Sequence, residues 1–253
     1  MTNPLAPGSL SGQRVLITGS SRGIGAQTAT YVAEAGASVV VNYRDKAARA
    51  DKLVAGLTAG GASAVAIAAD LTDPVSVQAM FDRVRSELGG LDVLVLNASG
   101  GMERDVAEDY AMRLNRDAQV NALETALPLL GPGSRIVFVT SHQAHFIDTV
   151  ETMPDYEPVA RSKRAGEDAL RALIPTVEAA GVEFVVVSGD MIEGTITATL
   201  LERSNPGALA TRKEAAGRLY DVAGFAAEVA LAAVEPVPAD HTRYVGDISS
   251  FTG

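Results

Sequence analysis

Eight residues near the start of the chain, Thr18-Gly19-Ser20-Ser21-Arg22-Gly23-Ile24-Gly25, stand between the apolar run Val15-Leu16-Ile17 and a helical pattern opening near Ile24. A strand that stops at a glycine, turns and starts a helix aims unpaired backbone N–H groups at one point, and that point suits a phosphate. Gly19 would allow the turn, Gly23 the approach of a pyrophosphate, and Gly25 close packing of the new helix on the sheet. The same spacing also suits an ordinary strand-to-helix turn, so the rest of the chain has to decide. A second cluster is Ser141-His142-Gln143-Ala144-His145, followed by Asp148, Glu151 and Asp155. A histidine there could donate a proton near neutral pH. Without an obvious third ligand, His142 and His145 are more ordinary as polar loop residues than as a metal pair, so no metal site is expected. Ser141 lies in no Gly-x-Ser-x-Gly elbow, which weakens a Ser-His hydrolase reading. With no cysteine in the chain, disulfides, thiolate nucleophiles and thiolate metal sites are excluded.

The elements that must position these residues can be read from composition and pattern. At 253 residues and 47% apolar content, the chain can bury one large core, and a single domain is expected. No apolar run approaches the roughly 18 residues of a membrane span. The first 11 residues have neither a basic start nor an apolar segment, so they read as a loose tail, and the cytoplasm is the default location. Thirty-one acidic residues against 21 basic ones give a net charge of −10, which disfavours nucleic acid. An anionic cofactor remains possible where a few arginines and helix N-termini supply a local positive field.

The spacing predicts strands over 13–18, 38–43, 64–68, 91–96, 135–140, 182–187 and 243–245. Between them it predicts helices over 23–35, 45–57, 74–88, 105–130, 158–174 and 222–234, with a helical insertion over 196–219 broken at Asn205-Pro206-Gly207. Asp73 caps the third helix, Pro74 opens it, and the long helix from Asp105 is kinked near Pro128. Strands alternating with helices give an α/β fold, a doubly wound parallel sheet of Rossmann type with three α/β/α layers. Its ligand lies beyond the carboxyl ends of the strands, where Gly19, Tyr43, Asp70, Asn97, Ser141 and Gly189 fall.

Taken with Asp70-Leu71, Asn97-Ala98, Asn115, Ile136 to Ser141 and Ser162-Lys163, the glycine turn resembles the short-chain dehydrogenase/reductase family over nearly the whole chain. The resemblance implies a nicotinamide dinucleotide held by Gly19, Ser21, Arg22, Gly23, Ile24 and Gly25, with Asp70 and Leu71 near adenine and Asn97-Ala98 beside the adenosine ribose. Ser99 stands where the family usually has glycine. Dinucleotide folds selective for NAD place a carboxylate at the end of strand two, but here that strand ends Asn42-Tyr43-Arg44. Arg44 and Arg22 could both approach a 2′-phosphate, so NADP(H) is the expected cofactor. Otherwise Arg44 is a solvated charge beside a helix.

For the chemistry, the resemblance implies that a tyrosine supplies the proton, a lysine lowers its pKa, a serine orients the oxygen and an asparagine holds a water behind the lysine. Lys163, Ser141 and Asn115 fit three of these roles. Four residues before Lys163, where the family tyrosine usually stands, the sequence has Val159. The nearest tyrosine is Tyr156, two helical turns from Lys163 and roughly 10 Å along the axis if both are helical. That spacing is similar to the divergent enoyl-carrier-protein reductases of the superfamily. Tyr156 is either the proton donor or an exposed loop tyrosine, and Pro158 places it before the helix rather than within it.

After the sixth strand, Gly189 and Ile192 could offer backbone groups to the nicotinamide carboxamide, and Thr195 could bond it or the pyrophosphate. Residues 196–219 form a substrate lid hinged at Asn205-Pro206-Gly207. Leu200, Leu201, Met191 and Phe146 either give an apolar pocket or simply pack that lid, and Arg203 or Arg212 could favour an anionic substrate. The expected function is an NADP(H)-dependent oxidoreductase moving hydride to or from a small carbonyl, alcohol or enoyl substrate. A catalytically impaired sensor or interaction subunit is the alternative that Val159 raises. Family resemblance further implies a homo-oligomer, a dimer or tetramer, and no membrane or nucleic-acid partner.

Overall fold

Apolar residues alternate along each central strand, and in the computed structural model, which describes residues 2–103 and 106–252, they fill two cores on opposite faces of one sheet. Val15 and Ile17 point to one face and Leu16 to the other. The same division separates Val93 and Val95 from Leu94 and Leu96, and Val185 and Val187 from Phe184 and Val186. A strand covered on both sides has no polar face, which is why these runs read as continuous apolar segments. Each fully buried aliphatic side chain contributes about 1.5–3 kcal/mol, so the two cores dominate the cohesion of the fold.

The strands are β1 (Arg14–Ile17), β2 (Ser38–Tyr43), β3 (Ala64–Ala68), β4 (Leu91–Leu96), β5 (Leu130–Ser141), β6 (Glu183–Gly189) and β7 (Thr242–Val245). They pair in the order β3-β2-β1-β4-β5-β6-β7, all parallel. Helices α1 (Gly23–Glu34), α2 (Ala47–Ala59) and α3 (Pro74–Leu88) connect the first four strands. Beyond β4 come α4 (Tyr110–Met112), a π turn (Arg113–Asp117), α5 (Ala118–Ala126) and a 3-10 turn (Leu127–Leu129). After β5 follow α6 (His142–His145), α7 (Glu157–Ala172) and α8 (Ile174–Ala179). Helices α9 (Ile196–Ser204), α10 (Ala208–Ala216), α11 (Val222–Leu231) and α12 (Ser249–Thr252) complete the chain. The order reverses between β1 and β4, and a crevice opens there beyond the strand ends.

Most expected elements are present, with Asp73 accepting from the Val75 N–H and Gly89 closing α3 in the left-handed region. Several differ for physical reasons. The helix expected from Asp105 has its first residue outside the described residues, and its regular part begins only at Tyr110; Pro128 sits in the 3-10 turn instead of kinking a continuous helix. Pro175 opens α8 rather than ending a chain segment, because a first helical turn needs no N–H from it. Residues 142–145 fold into the short α6, capped by Ser141, where a polar loop is expected from the sequence. The expected loose tail of residues 1–11 is packed over its described part, 2–11: Leu5 and Leu10 are buried in the core that holds α1, and Asn3 donates to the Tyr31 carbonyl. No helix among the described residues is long and apolar enough to cross a membrane.

The closest helix approach near the crevice is set by Gly166 in α7. A Cβ there would lie 2.0 Å from the main-chain oxygen of Asn115 in the π turn. Gly166→Ala must push α7 away from that turn, and urea unfolding should show a loss of about 1–3 kcal/mol, the usual cost of overpacking. An unchanged midpoint would show that the two segments do not need this contact.

Candidate active site

The glycine turn is pinned by polar groups at three strand ends. Thr18 Oγ1 donates to the Val95 carbonyl and accepts from the N–H groups of Asn97 and Ala98, which joins the end of β1 to the end of β4. Asn42, at the end of β2 and almost fully buried, accepts the Gly19 N–H at 3.0 Å, while its own N–H donates to Ser20 Oγ. Gly19 and Gly23 have φ of +62° and +57°, and a Cβ on Gly25 would lie 2.6 Å from Asn97 Nδ2. Gly19 and Gly25 are therefore used as the sequence suggests, one for the turn and one for close packing. Above Gly23 a Cβ would meet nothing within 4 Å, so this backbone faces open space. Arg22, at the cap of α1, makes no side-chain cap, and the first turn holds no acid. The leading N–H groups of α1 thus lack a side-chain partner and carry the positive end of the helix dipole.

A cleft of about 650 Å³ runs from this turn along the strand ends, a size typical of ligand pockets. Ser21, Arg22, Ile24, Tyr43 and Arg44 line one part of it, and Asp70, Leu71, Asn97, Ala98 and Ser99 the next. Asp70 accepts from the N–H and hydroxyl of Thr72, which fixes the bend after β3. Arg44 lies across the mouth: it pairs with Asp45 and donates to Tyr110 Oη at 2.6 Å. Lys46 and Arg49 add two exposed cations to the same rim. Sequence reasoning missed them, although their i, i+3 spacing just beyond β2 was a readable signal.

At the other end of the cleft stand Ser141, Tyr156 and Lys163. Ser141 closes β5, and Tyr156 is the residue before α7, where Pro158 fits the first turn. Tyr156 is not an exposed loop residue. It is 5% exposed, and its hydroxyl lies 3.1 Å from Ser141 Oγ, either oxygen being able to donate. Lys163 is half-buried on the wall of the cleft. Val159 takes no polar part: it packs with Tyr156, Met191 and Leu201, close to Gly101. Asn115 is placed differently from the other three. Its side chain exchanges hydrogen bonds with the Gly100 backbone and donates to Ser162 Oγ at 2.9 Å, so it lies behind the cleft and not on its wall.

The loop after β6 divides its expected residues. Ile192 and Thr195 line the cleft, with Thr195 Oγ1 capping α9. Gly189 does not: a Cβ there would strike the Phe225 ring at 2.2 Å, so this glycine serves close packing of α11. Met191 and Leu201 reach the cleft, whereas Phe146 stacks on Tyr244 and Phe251 elsewhere and Leu200 is not on the wall. Arg212 is no free rim cation, because its guanidinium is held by Asp190 at 2.7 Å. Arg203 is exposed and also off the wall.

The histidines are structural. His142 is fully buried and bonded to Ser188 Oγ and the Val245 carbonyl, and burial pushes its pKa down to about 4, which leaves it neutral. His145 bridges Glu167 and Tyr244 Oη. Burial would raise the Glu167 carboxyl, but the bonds from His145 and Arg171 hold it below its ordinary value. Asp148 is an exposed partner of Arg164 and, like the exposed Glu151 and Asp155, lies off the cleft. Among the described residues no three histidine or acidic side chains gather as metal ligands.

Because native His142 protonates only near pH 4 and an unfolded histidine near 6.5, the unfolded chain binds the extra proton as pH falls between these values. This group therefore costs stability on acidification. Urea unfolding should show the advantage of the parent over His142→Asn shrinking by about 2 kcal/mol between about pH 7.5 and pH 5. A constant gap would mean that His142 titrates normally in the fold.

The sequence profile described as short chain dehydrogenase matches residues 13–205. A curated relative, the short chain dehydrogenase/reductase nsrJ of Aspergillus novofumigatus, is 34% identical over 203 residues, covering 78% of this chain and 74% of the relative. The versicolorin reductase stcU of Emericella nidulans is 34% identical over 170 residues, 65% of this chain and 63% of that protein. Among solved structures, a short chain dehydrogenase from Burkholderia cenocepacia in complex with NADP superposes with a TM-score of 0.79 at 31% identity, over 94% of this chain and 98% of that one. With its parallel sheet, its glycine turn and these matches together, the chain belongs to the short-chain dehydrogenase family.

Proposed function

We propose that the protein is an NADPH-dependent reductase of a carbonyl compound, working in either direction between ketone and alcohol. The observation that carries this reading is the Tyr156 hydroxyl held 3.1 Å from Ser141 Oγ, in the same cleft as the uncapped start of α1. The residues present fit the cofactor. Gly23 leaves its backbone open to a diphosphate, and the rim carries Arg22, Arg44, Lys46 and Arg49, with Asp45 already paired to Arg44. NADP bound to the Burkholderia relative supports the same choice.

When bound, NADPH supplies the hydride. Ser141 Oγ and Tyr156 Oη share one oxygen of the substrate, and Tyr156 holds the proton that this oxygen needs as it becomes an alkoxide. Lys163 brings a positive charge to the same wall and stabilises the phenolate left behind. Asn115 acts from outside the cleft. Its bond to Ser162 and the seat of Gly166 on its carbonyl hold α7, and so both Tyr156 and Lys163, in register with Ser141. The sensor alternative raised by Val159 gains no support from this geometry, since the buried tyrosine before α7 supplies the hydroxyl.

Helices α9 and α10 serve as the lid, hinged at Asn205-Pro206-Gly207 and tied to the loop after β6 by Arg212 to Asp190 and Lys213 to Glu193. Homo-oligomerisation is part of the same proposal. Leu114, Leu123 and Leu170 of the helices expected to mediate it are buried within one chain, so these leucines are not the residues that a second copy would meet.

Tyr156→Phe should lower kcat by about 100-fold or more, the usual worth of a placed general acid, while the NADPH dissociation constant stays within about twofold. Full turnover by this variant on a ketone panel would remove the assignment. Arg44→Ala should weaken NADPH binding by roughly 10- to 100-fold and leave NADH nearly unchanged, as loss of a charge-assisted bond to the 2′-phosphate requires. Equal losses for both coenzymes, measured by fluorescence titration, would contradict that role.

A further inference from the structure

Beyond the groups already assigned a step, one polar side chain faces the substrate end of the cleft with its orientation dictated by its neighbours. Gln143, 9% exposed in α6, lines the cleft with Ser141 and Tyr156 and donates Nε2–H to Asp190 Oδ1 at 2.8 Å. Asp190, itself 8% exposed, also receives the Met191 N–H at 2.7 Å and the Arg212 guanidinium on both oxygens. A carboxylate so paired only accepts hydrogen bonds. The amide of Gln143 must therefore turn its NH₂ toward Asp190, and its carbonyl oxygen is the free end. That Oε1 has no hydrogen-bond partner among the described residues and is not sealed within the protein. Met153, Met191 and Leu201 are apolar side chains lining the same cleft.

We infer that Gln143 is a specificity residue that accepts a hydrogen bond from a hydroxyl on the substrate, so that the preferred ligands are hydroxyketones and not simple ketones. The inference rests on the reductase reading above for the presence of a ketone in the cleft. Once a substrate has displaced water from an apolar wall, an acceptor with no donor opposite it is left unpaired, and a ligand lacking the hydroxyl bears that loss. An amide free to turn over could meet either a donor or an acceptor. Asp190, locked by Arg212 from the lid, removes that freedom and makes the preference one-sided.

The test is a binding comparison on the NADP⁺-saturated protein, where no hydride can pass to a ketone and the absorbance of NADPH reports whether any hydroxylated probe is oxidised during the titration. The probes are 1-tetralone and its 2-hydroxy and 3-hydroxy derivatives, titrated calorimetrically into the parent, Gln143→Met and Gln143→Leu. At least one hydroxylated probe should bind the parent roughly tenfold more tightly than 1-tetralone, and both variants should lose this preference. Unchanged NADPH affinity in at least one variant reports an intact fold. Equal binding of all probes, no binding of any, or a preference that survives in a folded variant would overturn the inference. Turnover of the same probes with NADPH is read separately: a lost preference in the variants without turnover in any protein would leave the Gln143 assignment standing and sink the reductase reading.

Discussion

The reversal of strand order between β1 and β4 is the constraint from which the site follows. Two neighbouring parallel strands send their chains to opposite faces, so nothing covers the crevice between their carboxyl ends. Their backbone polar groups must still be satisfied. Thr18 meets this need by bonding to both Asn97 and Ala98, and Asn42 meets it by accepting from Gly19. These short bonds hold the turn so that the start of α1 faces the crevice uncapped. What remains after the sheet has satisfied its own ends is a helix start whose leading N–H groups have no side-chain cap.

A second close contact seats α7 beside the same crevice. Gly166 lets α7 sit on the Asn115 carbonyl, and the π turn that presents this carbonyl is itself an irregularity in the helix. With α7 fixed there, Lys163 is set along the helix, and Tyr156 is set just before it: its N–H donates to the Met153 carbonyl and its own carbonyl accepts from the Ala160 N–H. Placed outside the helix, its side chain turns back to Ser141, whereas a tyrosine at Val159 would have to displace packing against Met191 and Leu201.

The strands were legible in the sequence because buried parallel strands are continuous apolar runs bounded by glycine or polar residues, as at Leu91 to Leu96. The glycine turn was legible for a related reason, since positive φ and close approach each leave a glycine. What pattern could not reveal were contacts made by residues far apart in the chain. Gly189 reads as a loop glycine, and only the position of Phe225 shows that it is a packing glycine. Arg212 reads as a rim cation until Asp190, 22 residues earlier, neutralises it. His142 reads as a proton donor, but the carbonyl of Val245, 103 residues on, takes its second nitrogen into the core.

The charge balance makes the same point about distribution over total. A chain with net charge −10 repels anions at long range, yet screening beyond a Debye length of about 8–10 Å leaves the local arrangement in control. Around the glycine turn Arg22, Lys46 and Arg49 are exposed and Arg44 spans the cleft mouth to Tyr110, while Asp45 already holds one side of the Arg44 guanidinium. Toward Tyr156 the pattern changes: Asp190 and Arg212 pair with each other, and Met153, Met191 and Leu201 line the cleft together with Ser141, Gln143, Lys163 and the carboxylate of Glu103. Local charge therefore makes the two ends of one cleft differ: cations gather beside the glycine turn, while Ser141, Tyr156 and apolar side chains line the other end.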